Sequence, residues 1–229
     1  MLKFLGIFAL FTAIAGGVFY QNNPLLFGQR TGESHDGYTI YDHYGPLDDE
    51  LFSVAGSVGN DFTAYRNHCL RVLTFTNYLL PDFVKETIPN AMDLAATALA
   101  YHDVALWTDK KLNYLEPSKV RMDRALGGAS FTPQELKIME EIILEHHKVT
   151  DFTALSEAEN ALINAVRKAD WADASFGVIR FGLPVSLLEA AYDEINEAGF
   201  HQILLDVLVR ISAGNLFQGT TEFLKIFKW

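Results

Sequence analysis

Histidine and aspartate recur in this chain where apolar residues would be expected. The clearest case is Tyr101-His102-Asp103-Val104, which closes the run Ala91-Met92-Asp93-Leu94-Ala95-Ala96-Thr97-Ala98-Leu99-Ala100. Helical steps back from His102 reach Leu99 and Ala95, and a step forward reaches Leu106, so His102 continues an apolar stripe that faces the core. Asp103 lies about 100° further round the same helix. A buried carboxylate needs a partner, which here means Lys, Arg or a metal ion. Alone, a His-Asp step would be an ordinary helix end with a solvated carboxylate. This one has company, because His68, the pair His146-His147 and Asp170 each lie on a helical pattern of their own. Imidazole nitrogen together with carboxylate oxygen suits divalent ions such as Zn, Fe and Mn.

The elements that must position these residues are helices. His68, Val72, Phe75 and Leu79 recur at helical spacing, with Arg71 near the same face and Pro81 as a stop. After Pro89 a second helix runs to about Trp107 and carries His102-Asp103. Residues 108–132 form a loop with a short helix after Pro117, and they lie over whatever the His-Asp pair binds. Thr132-Pro133-Gln134-Glu135 is a capping box, and its helix places His146 and His147 on two adjacent apolar rows. A second capping box, Ser156 to Glu159, opens a helix on which Leu162, Ile163 and Val166 lead to Asp170 on the buried side. Phe181-Gly182-Leu183-Pro184 breaks the chain, and two or three further helices fill 185–227, with a turn near Ala198-Gly199. His201 reads as an ordinary polar helix-start residue. No strand alternation of useful length follows residue 60, so the fold class is all-α.

Composition narrows the chemistry. The chain has 229 residues, enough for one full domain, and 49% of them are hydrophobic, too many for disorder. A net charge of −11 argues against a nucleic-acid polymer as partner but not against a small phosphorylated ligand, because a bound metal reverses the local field. Cys69 is the only cysteine, so neither an intrachain disulfide nor a cysteine zinc cluster can form. Any metal site must use His and carboxylates. There is no phosphate-binding Walker A sequence, no dinucleotide-binding glycine motif, no nucleophile elbow and no H-E-x-x-H.

At the N-terminus, Met1-Leu2-Lys3 precedes an apolar run from Phe4 to Tyr20. Residues 1–21 have the form of a signal anchor or signal peptide, with Ala13-Ile14-Ala15 as a small-residue cleavage site. Uncleaved, residues 4–20 would tether the chain to a membrane, and Lys3 ahead of the run favours an exported domain. Residues 22–60, rich in Gly, Asn and Pro, including Gly45-Pro46, read as an irregular linker in which Asp48-Asp49-Glu50-Leu51 could open a first short helix, which leaves 61–229 as the helical domain.

The order His68, His102-Asp103, His146-His147 and Asp170 on helices resembles the HD-domain superfamily of metal-dependent phosphohydrolases. Asn67-His68-Cys69-Leu70-Arg71-Val72 is similar to the family's first-ligand helix. Arg167-Lys168-Ala169-Asp170-Trp171-Ala172-Asp173 is similar to its last-ligand segment. The resemblance covers about residues 60–175. It implies an HD-type helical bundle in which His68, His102, Asp103 and Asp170 hold one divalent ion (Zn, Fe, Mn, Ni or Mg), with a second, weaker ion as a further option through His146 or His147. Two departures matter. No G-Y-P follows His146-His147, unlike the cyclic-dinucleotide phosphodiesterases, and no histidine stands between Asp103 and His146, where two-metal members carry one.

Two neutral nitrogens and two carboxylates bring a 2+ ion near neutrality with positions open for water and substrate. The resemblance therefore implies a metal-dependent hydrolase acting on a phosphorylated small molecule such as a nucleotide. Asp103 or Asp170 would orient the water, while Arg71, His146, His147 and Lys148 would bind the anion or protonate the leaving group. Asn-His with Arg three residues later is also similar to the cyanamide hydratases of the same superfamily, so hydration of a small nitrile is one alternative. A non-catalytic, membrane-tethered ligand-binding module is the other.

Overall fold

A computed structural model describes residues 37–212 and 227–228. The apolar run 4–20 lies outside them. Among the described residues there is no strand, as an all-α class requires, and no helix long and apolar enough to cross a membrane.

The architecture centres on α2 (Phe62–Leu79) and α8 (Glu157–Ala174), which pack along each other for much of their 18 residues. Almost every residue of α2 from Ala64 to Thr76 is buried, because other helices surround it. α4 (Ala91–Tyr101) crosses beside it. Its Ala95, Ala96, Ala98 and Ala100 have side chains short enough for α1 (Gly45–Val58), α2 and α7 (Pro133–Glu145) to approach together. α3 (Asp82–Thr87) packs on α8, and α6 (Leu115–Ala125) lies over α4 and α7. α9 (Val185–Glu194) and α10 (Phe200–Ser212) lean on α2. Both expected capping boxes form, Thr132 with Glu135 and Ser156 with Glu159.

Three expectations need correction. The linker expected over 22–60 gives way at Gly45 to a helix of 14 residues. Gly45-Pro46, counted as part of that linker, is a helix start, where proline's fixed φ and missing N–H cost nothing. Leu47, Leu51 and Val58 then bury one face of α1, and Tyr101 Oη donates to Glu50 Oε2 at 2.5 Å. The bundle therefore begins no later than Gly45, not at residue 61. The short helix expected after Pro117 runs instead from Leu115 to Ala125, with Pro117 in its first turn. The helix expected to continue to Trp107 is broken at His102-Asp103-Val104 and resumes as α5 (Ala105–Thr108).

That break has a local cause. His102 Nδ1 donates to Leu99 O at 2.7 Å, taking the carbonyl that the next helical N–H, that of Asp103, would use. Asp103 N–H donates instead to Tyr65 Oη at 3.3 Å. Chain direction changes here, and Ala105 N–H finds Ser118 Oγ on α6 at 3.2 Å.

Because α1 belongs to the core, Leu51→Ala should lower stability by about 2–5 kcal/mol, as for a buried leucine truncation. Urea unfolding of the full-length chain measures this; a loss below about 0.5 kcal/mol would return residues 45–58 to the linker.

Candidate metal centre

On a regular helix, His102 and Asp103 would point about 100° apart. The turn at 102–104 brings both inward, so that His102 Nε2 stands 3.3 Å from Asp103 Oδ2. α2 contributes His68, whose Nε2 lies 3.3 Å from His102 Nε2. α8 contributes Asp170, whose Oδ1 is 3.2 Å from His68 Nε2 and 3.6 Å from His102 Nε2. All four side chains are buried. The end of α7 adds His146, with Nε2 3.5 Å from Asp103 Oδ1. The donor atoms form two groups, His68-His102-Asp170 and Asp103-His146-His147, and Asp103 reaches both through its two oxygens.

Each of the three buried imidazoles is held in the same way. His68 Nδ1 donates to Asp173 Oδ2 at 2.7 Å, His102 Nδ1 to Leu99 O at 2.7 Å and His146 Nδ1 to Ile143 O at 2.8 Å. A carbonyl or carboxylate oxygen only accepts, so Nδ1 carries a proton and Nε2 is the nitrogen turned into the centre, with a lone pair to offer whenever the imidazole is neutral. This is the outer support that metal-ligating histidines require.

Asp173 is itself fixed by a bidentate pair with Arg71, whose Nε and Nη2 donate to its two oxygens at 2.7 and 2.9 Å. Arg71 Nη1 also donates to Asn196 O at 3.0 Å. Arg71 is therefore completely buried behind His68 and does not face a substrate, contrary to the anion-binding role expected of it. Its spacing explains this: Arg71 follows His68, and Asp173 follows Asp170, by one helical turn each. The second pair repeats the first one layer deeper.

His201, read as an ordinary helix-start residue, is also buried in this layer. Its Nδ1 pairs with Glu197 Oε1 at 2.7 Å, its Nε2 with Asp173 O at 2.8 Å, and its ring stacks on Phe176. Phe200 stacks on the His68 ring with centroids 4.0 Å apart.

On the other side, Tyr114 Oη hydrogen-bonds His147 Nε2 and lies 3.5 Å from His146 Nε2. Leu106, Leu112, Trp171 and Phe227 are the apolar neighbours of this corner. Trp171 Nε1 donates to His146 O at 3.1 Å, and Arg167 Nη1 donates to Lys148 O at 2.8 Å, so both fix the chain leaving α7. Lys148 is half-buried immediately beyond the histidine pair. Sequence reasoning assigned no role to Asp173, Tyr114, Tyr65 or Glu197. Asp173 carried a signal, one turn after Asp170, whereas Tyr114 carried only its place after the His-Asp pair.

The field at the centre favours positive charge. Burial pulls His68 and His102 down, but Asp170 and Asp173 for the first, and Asp103 and Asp170 for the second, outweigh it and hold both imidazoles above their usual value. Burial pushes the Asp103 and Asp170 carboxyls up, but the surrounding imidazoles hold both below the usual carboxylate range. His147 differs: burial, aided by the neighbouring His146, lowers it to about 3 and keeps it neutral.

These residues fit a divalent ion. Neighbouring ligands on one ion at roughly 2.0–2.3 Å stand about 3–3.7 Å apart, and the spacings above are 3.2 to 3.6 Å. Asp103 Oδ1 is buried and makes no hydrogen bond among the described residues, an acceptor left open for a water beside such an ion. No family model, curated protein or solved structure matches the chain. What the fold and the site define is thus an all-α protein with a buried His/Asp cluster able to hold a metal.

Asp173→Asn keeps an acceptor for His68 but removes the charge that orients it. It should weaken metal binding about 10- to 100-fold, read as a Kd by competition with a chelating dye. An unchanged Kd would make Asp173 a packing residue only.

Proposed function

We propose that the protein is a metal-dependent hydrolase of the HD-domain superfamily, acting on a phosphorylated small molecule such as a nucleotide. The reading rests above all on one observation, the three imidazoles tied through Nδ1 with their Nε2 lone pairs gathered beside Asp103 and Asp170. His68, His102, Asp103 and Asp170 would hold the ion, which when bound lowers the pKa of a water and polarises the substrate oxygen.

The chain's own groups supply the rest. Asp103 Oδ1, not needed by His102, orients the attacking water. His146, with Nδ1 committed to Ile143 O, takes up and returns a proton at Nε2, within reach of Asp103. Trp171 and Leu106 exclude bulk water from this corner. Lys148, half-buried directly after the histidine pair, would meet a substrate anion. With a net charge of −11, the partner is a small molecule rather than a nucleic-acid polymer. We place the chain at a membrane or beyond it, through residues 4–20.

One observation favours a second reading. Arg71 is withdrawn from the site by Asp173, which removes a cation that a phosphate would use, and the neighbours of Tyr114 are apolar. A small nitrile, hydrated as by the cyanamide hydratases, suits such a pocket better than it suits a strongly basic one. Turnover of a nucleotide panel and a generic phosphodiester, set against cyanamide, with Mn or Ni added, separates the two. The phosphohydrolase reading expects phosphoester cleavage; activity on cyanamide alone would replace it with the hydratase, and no turnover of either would overturn both.

His146→Ala/His147→Ala should reduce phosphoester turnover by about 10²-fold or more, the effect of losing a general acid or base, while the ion stays bound by its four ligands. Undiminished turnover would leave the pair without a catalytic role.

A further inference from the structure

The second donor group, Asp103-His146-His147, raises the question of how many ions the site retains. Its three ligand atoms lie within 4.8 Å of one another, close enough for one cation. Yet the place among them is not free. Tyr114 Oη hydrogen-bonds His147 Nε2 and stands 3.5 Å from His146 Nε2. The negative charge of Asp103 acts on the same phenol. A phenol is protonated at neutral pH and is then a poor ligand. Whichever partner donates, His147 Nε2 is spent on the phenol and offers no lone pair to an ion.

The position of Tyr114 is built rather than incidental. Tyr114 is buried at the N-terminal cap of α6, where its carbonyl accepts Ser118 N–H at 2.8 Å. Ser118 Oγ in turn accepts Ala105 N–H, so the cap is tied to the turn that carries Asp103. Among the described residues no hydroxyl is hydrogen-bonded to the Nε2 and Oδ1 atoms of the first group, His68-His102-Asp170, which face one another directly.

We propose that Tyr114 sets the metal stoichiometry, its hydroxyl occupying the place among Asp103, His146 and His147 that a second ion would take, so that the chain retains one ion. The inference rests on reading the centre as a metal site. It assigns Tyr114 no step in the reaction. It gives the neutral phenol a positioning role: the proton it shares with His147 does what a second cation would otherwise do, and it leaves the second oxygen of Asp103 for a water.

The test loads the full-length chain with Mn(II), removes loosely held ion by gel filtration, counts metal by mass spectrometry and records the electron paramagnetic resonance spectrum. The wild type should hold one Mn(II) with an isolated-ion spectrum. Tyr114→Phe, which removes only the hydroxyl, should hold two and show the signature of a coupled pair across Asp103. Tyr114→Phe combined with His147→Ala should return to one. His147→Ala alone should leave both the count and the affinity of the wild type unchanged. Two ions in the wild type, one in Tyr114→Phe, or a loss of the first ion in His147→Ala would each overturn the proposal. A wild type that holds no ion would instead remove the metal reading on which it stands.

Discussion

In a dry core, Nε2 of His68 and Nε2 of His102 stand 3.3 Å apart, Asp170 Oδ1 lies 3.2 and 3.6 Å from them, and Asp103 Oδ2 lies 3.3 Å from His102 Nε2. Two carboxylates gathered on two imidazoles in such a place need positive charge among them, from protons on the imidazoles or from a bound cation, because low dielectric magnifies both repulsion and missing solvation. The rest of the structure can be understood as what is needed to impose this crowding. α2 and α8 pack side by side so that His68 meets Asp170, and one turn deeper Arg71 meets Asp173. The deeper pair is a closed, bidentate ion pair in which every charge is satisfied, and breaking such a pair by removing one partner costs roughly 3–5 kcal/mol. It anchors the geometry above it, where charge is left unsatisfied.

The same histidine device appears twice more at helix ends. At His102 and at His146 the imidazole takes the carbonyl three residues back, which stops the helix and fixes the tautomer together. Folding and ligand orientation are therefore set by the same bond. At His102 it has a further effect, since the released Asp103 N–H turns to Tyr65 and the carboxylate swings inward. A continuous helix could not have presented both members of the His-Asp step to one ion. Protons and a metal would compete for the same Nε2 atoms, so the affinity of such a site would fall as pH drops and the imidazoles protonate.

Much of this was legible in the sequence, and the failures are instructive. The phases of His68, His102, His146 and Asp170 on their apolar stripes pointed inward because a helix period of 3.6 is unambiguous over long, strongly patterned segments. The two capping boxes fixed the starts of α7 and α8. α1 was caught only as a short helix opening at Asp48-Asp49-Glu50-Leu51, because Gly45-Pro46 and Gly56 hid the period of Leu47, Leu51 and Val58, although proline at a helix start is favourable. Arg71 was placed at the substrate because its nearest partner in space, Asp173, is far away in sequence. Tyr114 was invisible for a related reason: a single aromatic in a loop has no periodicity, and only the fold of α6 over α4 and α7 delivers it to the histidine pair. His201 looked solvated because a helix-start histidine usually is; Glu197, four residues earlier, is the side chain that makes its burial tolerable.

The central claim is positional: one divalent ion belongs among Nε2 of His68, Nε2 of His102, Oδ2 of Asp103 and Oδ1 of Asp170. The most direct measurement is anomalous X-ray scattering from crystals of the full-length chain grown with Mn(II), collected above and below the metal absorption edge. The account predicts a strong anomalous peak at roughly 2.0–2.3 Å from those four atoms, occupied in every copy. A map with no peak there, or with its strongest peak on surface carboxylates away from His102, would contradict it.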